Sequence, residues 1–68
     1  MAEAKSPILR HFQFAHLPPA LKEISAPLCT LAQDMDDKLP ACAEKSAGLR
    51  KLLEAKDCFV RAALEATP

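Results

Sequence analysis

The chain is 68 residues long, half of them apolar, with nine basic residues balanced by nine acidic ones. That length allows one small domain, and so much apolar surface on so short a chain needs partner copies to cover it. Neutrality argues against duplex DNA as a partner, which requires a basic excess, but not against a small anion held by a few focused charges.

Residues 1–6 carry no pattern and are expected to form a loose arm. Residues 7–17 differ, holding both histidines and two of the three phenylalanines. Phe12, Phe14 and His16 alternate, so an extended segment would place them on one face. Two readings stay open: an apolar arm packed over the helices or a neighbouring subunit, or rings that floor a ligand site. The second has a physical basis, because aromatic faces stack on nucleobases without needing a particular base sequence.

Pro18-Pro19 opens a helix, since proline is favoured in a first turn where its missing N–H has no intrahelical partner. Pro27 disfavours helical geometry at Ala26, and Ser25 is a competent N-cap for a restart. The expectation is a short helix near 18–24, a kink at 25–26 and a helix from 27 to 39, together a kinked helix over 18–39. Ile24, Leu28, Leu31, Ala32, Met35 and Leu39 make its apolar stripe. Gln33, Asp34, Asp36, Asp37 and Lys38 make its wet face; three aspartates in four positions suggest a divalent cation less than a solvated face.

Pro40 stops that helix and Ala41-Cys42 turn the chain. From 43 to 66 strong helix formers run without proline. Leu49, Leu52, Leu53, Phe59, Val60, Ala63 and Leu64 recur at spacings of three and four, and Arg50–Glu54, Asp57–Arg61 and Arg61–Glu65 are opposite charges four apart. The short connection implies an antiparallel helical hairpin. The fold expected is therefore all-α: a short N-terminal helix, a kink, then the hairpin, assembled as a homo-oligomer. The end of the long stripe around Phe59, Val60, Ala63 and Leu64 is left to find cover in another copy.

Cys29, Cys42 and Cys58 are odd in number and lack C-x-x-C spacing, which fits a reducing cytosol and buried free thiols better than a disulfide framework. With His11 and His16 they match no zinc pattern. No signal peptide or membrane span is apparent, so a soluble intracellular protein without membrane contact is expected. Neither a phosphate loop nor a nucleophile elbow occurs, and nothing positions a thiol–imidazole pair, so no enzyme, metal or cofactor is expected.

Cations near apolar or aromatic surface remain: Arg10, Lys22, Arg50, Lys51, Lys56 and Arg61. Arg50 and Arg61 have acidic neighbours at helical spacing. Lys56 falls on the apolar stripe, where it either snorkels to water or stands beside an anion held between subunits.

Two blocks carry a resemblance. They are Phe12-Gln13-Phe14-Ala15-His16-Leu17-Pro18-Pro19-Ala20-Leu21, and the run from Glu44 through Gly48-Leu49-Arg50-Lys51-Leu52-Leu53-Glu54-Ala55-Lys56-Asp57 to Ala62. Together they resemble small phage-encoded sponge proteins that antagonise the cyclic-oligonucleotide-based anti-phage signalling system (CBASS) of bacteria, over about residues 10–64. The resemblance implies a helical protomer in a homohexamer, acting in the cytoplasm of the infected host. Family members bind cyclic dinucleotides, and many also bind cyclic trinucleotides at separate sites between subunits, without cleaving either.

Carried onto this chain, the resemblance makes His11, Phe12 or Phe14 the base-stacking residue; among the cations above, Arg10, Lys22, Arg50, Lys56 and Arg61 are the candidate phosphate or polar partners. Family members often carry lysine after the serine of S-x-P, where this chain has Ala26. If the aromatic position is His11 and the lysine position Ala26, the dinucleotide site is weakened, while a trinucleotide site drawn from Arg50, Lys56 or Arg61 stays intact. The competing reading is a helical structural or protein-interaction module with no nucleotide ligand.

Overall fold

A computed structural model describes residues 6–66, whose regular elements are all helical: a 3-10 helix over Pro7–Phe12, α1 over Pro19–Lys38 and α2 over Ala43–Ala66. Of the loose arm expected over residues 1–6, residues 1–5 lie outside the described residues. Ser6, its last residue, is tied down, being hydrogen-bonded to Asp36 through both its backbone N–H and its hydroxyl.

Pro7 starts the 3-10 helix at a position suited to its fixed φ, and the Leu9 N–H closes the first turn on the Ser6 carbonyl at 3.0 Å. The 3-10 helix ends at Phe12 and Gln13 is extended, so Phe12, Phe14 and His16 do not lie on one extended segment. The three do not share one face. Phe12 is fully buried, Phe14 packs half-buried against the core and His16 is exposed.

α1 begins as Pro18-Pro19 predicts, with the Leu21 and Lys22 N–H groups both reaching the Pro18 carbonyl at 3.0 Å. The expected break at 25–26 is not a helix boundary: helix runs from Pro19 to Lys38 with Pro27 inside it. Proline at 27 removes one donor, leaving the Glu23 carbonyl without its usual i+4 partner. Glu23 and Pro27 are both exposed, so water can satisfy that carbonyl, while packing holds the helix on either side. Ser25 is accordingly no N-cap. It is a buried mid-helix residue, 1% exposed, and its hydroxyl has no hydrogen-bond partner. Leu39 ends α1 in extended geometry, the conformation that Pro40 imposes on the residue before it.

α2 matches the expected 43–66 range. At its start the Cys42 sulfur accepts the Lys45 N–H at 3.4 Å, where a serine or aspartate oxygen would ordinarily cap. With 24 residues it runs about 36 Å.

The core is Leu9, Phe12, Cys29, Ala32 and Leu49, with Ile8, Phe14, Leu52 and Leu53 packed around it. All three elements contribute. The face of α1 that the core uses is Ser25, Cys29, Ala32 and Asp36, rotated from the predicted stripe. The 3-10 helix docks on that side and draws it inward. Leu31 and Leu39, assigned to the buried stripe, are instead exposed, as are Phe59 and Leu64 of α2.

Candidate ligand-binding site

The structure distributes the predicted site residues rather than converging them. Arg10 and His11 occupy the last turn of the 3-10 helix and are exposed. Phe12, one residue on, has 0% exposure. A ring in that position offers no face to a base unless it leaves the core. Phe14 keeps part of its surface, and Lys22 and Ala26 are half-buried on α1.

Two clefts flank the Ser6–Pro7 start of the 3-10 helix. One, about 360 Å³, is lined by Ser6, Pro7, Leu9, Arg10, Gln13, Cys29 and Gln33. The other, about 160 Å³, is lined by Ser6, Pro7, Ile8, Ser46, Leu49 and Arg50. Arg10 and Arg50 therefore stand on opposite sides of one anchored turn. Lys22, Lys56 and Arg61 line neither cleft.

On α2, the charge lattice expected from i, i+4 spacing does not close among the described residues. Lys56 pairs instead with adjacent Asp57 at 2.9 Å, and its side chain is only 14% exposed. The Arg61 guanidinium donates to the Cys58 sulfur at 3.4 Å. Lys56 thus lies largely covered with a local counter-charge, and Arg61 stays at the surface. Cys29 is buried as expected, whereas Cys42 and Cys58 are exposed; all three thiols are free.

The best-formed electrostatic arrangement was not predicted. Asp36, assigned to the wet face, is buried, and Lys45 of α2 meets its Oδ1 at 3.1 Å, with side-chain exposures of 8% for the lysine and 5% for the aspartate. The Lys45 ammonium also donates to the Asp36 and Leu39 carbonyls, both at 3.2 Å. Its three N–H donors thus match three oxygens, two of them carbonyls orphaned at the end of α1. The Ser6 hydroxyl, donating to Asp36, holds that carboxyl below its ordinary range despite the opposing effect of burial; Lys45 and the Ser6 N–H act in the same direction. The network ties all three elements together and fixes the turn between the clefts. Lys45 carries no sequence signal beyond ordinary helix composition, and its role follows from where the connection places it.

An apolar groove runs between α1 and α2. One part, about 330 Å³, is lined by Leu31, Met35 and Leu39 against Gly48, Leu49 and Leu52. A second, about 480 Å³, is lined by Ile24, Pro27 and Leu28 against Phe59, Ala62 and Ala63. Gly48 has helical φ, and a Cβ built on it meets nothing within 4 Å.

Among the described residues no group of three or more His, Cys, Asp or Glu side chains could hold a metal ion, and no helix is long and apolar enough to cross a membrane. Family models, curated proteins and solved structures were all compared with the chain, and none matches it.

Proposed function

We propose that the protein sequesters cyclic di- or trinucleotide second messengers without cleaving them, as a homohexamer in the cytoplasm of an infected bacterium, and so blocks CBASS immunity. The observation that carries this reading is the anchored 3-10 turn, which presents Arg10 and His11 outward and has Arg50 on its other flank. A cyclic oligonucleotide needs flat rings and a few fixed cations rather than a basic protein, and sequestration needs no catalytic group.

The lining of the groove supports an antiparallel hairpin, since residues 23–28 of α1 face 59–63 of α2 while 31–39 face 44–52. Its open apolar surface, with Leu31, Leu39, Phe59 and Leu64 exposed, supports assembly into several copies. Gly48 adds to this. A mid-helix glycine costs about 1 kcal/mol relative to alanine, and nothing inside the chain requires one there. A close approach from another copy would.

The test is a thermal-shift screen against cyclic di- and trinucleotides. A ligand at a hundred times its Kd stabilises by about 2.7 kcal/mol, on the order of 10 °C for a chain this small. Heat release after filtration returns the ligand intact. Calorimetry with both ligand classes then separates the sites. Trinucleotide binding tighter than dinucleotide binding is the outcome expected of a chain with His11 and Ala26.

One observation favours a second reading, a helical interaction module without a nucleotide ligand: Phe12, a proposed stacking ring, is wholly committed to the core. That reading expects no melting shift with any cyclic nucleotide.

A further inference from the structure

We propose that the cleft between the 3-10 helix and α1 is a nucleotide subsite, in which Arg10 holds a phosphate and the amides of Gln13 and Gln33 pair with the edge of the base. The inference rests on the cyclic-nucleotide reading and adds to it two residues and a location.

The cleft joins two kinds of surface. Its floor and walls are apolar, formed by Pro7, Leu9 and the buried thiol of Cys29. A flat base can lie on such a surface, and a polarisable sulfur beneath an aromatic ring is favourable. Its rim is polar, carrying one guanidinium and two carboxamides. The side chains of Arg10, Gln13 and Gln33 are exposed and make no hydrogen bond or ion pair among the described residues. Their donors and acceptors are therefore available to a ligand. A volume of about 360 Å³ falls in the range of small-molecule sites.

The chemistry of the rim selects the ligand. Guanidinium matches the two oxygens of a phosphate in a planar fork. A carboxamide both donates and accepts, so each can pair with a donor–acceptor edge of a base: the ring nitrogen and amino group of adenine or cytosine, or the ring N–H and carbonyl of uracil. The site is also pre-formed on one wall. Phe12 in the core and Ser6 on Asp36 hold the 3-10 helix at both ends, so binding need not order it.

Calorimetry with cyclic di-AMP, cyclic tri-AMP and cyclic di-UMP, on the full chain and on the variants Arg10→Met and Gln13→Leu/Gln33→Leu, tests the proposal. The expected result is binding of adenine and uridine ligands alike by the wild-type chain, since the amides pair with either base. Each variant should lose about tenfold or more for the adenine ligands, with melting temperature unchanged because the substituted residues are exposed. If leucine at 33 lowers the melting temperature, Gln33→Glu replaces it; the carboxylate keeps the size and should weaken binding by setting a negative charge near the phosphate. A wild-type chain that binds none of the ligands overturns the sequestration reading and this subsite with it. A wild-type chain that binds them, with both variants binding equally well, overturns the subsite alone.

Discussion

The Lys45 ammonium sits 3.1 Å from the Asp36 carboxylate and places its other donors on the Asp36 and Leu39 carbonyls, so one side chain of α2 closes the end of α1. Both partners are buried, which makes their separation costly. Asp36→Asn leaves the lysine charge covered and uncompensated, and about 3 kcal/mol of stability should be lost. Replacing both, as Asp36→Leu/Lys45→Met, should lie closer to wild type than either single change. Urea denaturation of wild type, Asp36→Leu, Lys45→Met and the double variant measures the coupling; additive losses would mean that the pair does not act as a unit.

The same carboxyl sets an acid limit. Its folded pKa is below its unfolded value, chiefly through the Ser6 hydroxyl, with Lys45 contributing. As pH falls through the ordinary aspartate range near 3.9, the unfolded chain takes up its proton first, and stability declines. The contribution is complete above that range and gone once pH passes below the folded value. Asp36→Asn should therefore flatten the stability–pH curve in this acid window and leave its slope near neutrality unchanged. Urea midpoints taken at intervals from about pH 2.5 to about pH 7, which spans the ordinary aspartate titration, give both curves.

Phe12 and His11 are neighbours with opposite assignments, one in the core and one in solvent. Phe12→Ala should cost about 3 to 5 kcal/mol, enough to abolish a cooperative melt in a chain this small. His11→Ala should change stability by less than about 0.5 kcal/mol and, on the sequestration reading, weaken ligand binding. Melting curves with and without cyclic di-AMP separate the two effects. A mild Phe12→Ala phenotype would mean that its ring is not the centre of the core.

What was legible in the sequence was what depends on local periodicity and on proline. The start of α1, its end before Pro40 and the whole of α2 follow from those signals. The Pro27 break failed because proline removes only one donor, a local cost that tertiary contacts on both sides outweigh. The wet-face position of Asp36 failed for a different reason. Its charge groups it with Gln33 and Asp37, yet its spacing of four and seven from Ala32 and Cys29 puts it on the face the core uses, where Ser6 and Lys45, docking from elsewhere, stabilise its burial. The clefts beside Ser6–Pro7 are likewise products of docking, so Gln13 and Gln33 gave no signal as a pair 20 residues apart.

Ser25 offers a stabilising change. Its hydroxyl is buried without a hydrogen-bond partner, and serine is a poorer helix former than alanine. Ser25→Ala should raise stability by up to about 1 kcal/mol, seen as a higher urea midpoint with unchanged slope. A loss of stability would show that the hydroxyl is satisfied within its own helix, by rotation onto the carbonyl one turn back.

Gly48 distinguishes a bare groove from a covered one. In the isolated chain Gly48→Ala meets no neighbour and should strengthen α2 by about 0.5 to 1 kcal/mol. If another copy approaches the backbone there, the added methyl must push that copy away, and close-packed interfaces tolerate such intrusion badly. The expected outcome is a chain with undiminished helical circular dichroism that sediments as smaller species than wild type at equal concentration. Leu31→Glu, which puts a charge on the same groove, should do the same without altering helix propensity at position 48. Two variants that sediment as wild type would leave the groove uncovered, and Gly48 would then carry its helix penalty with no contact to offset it.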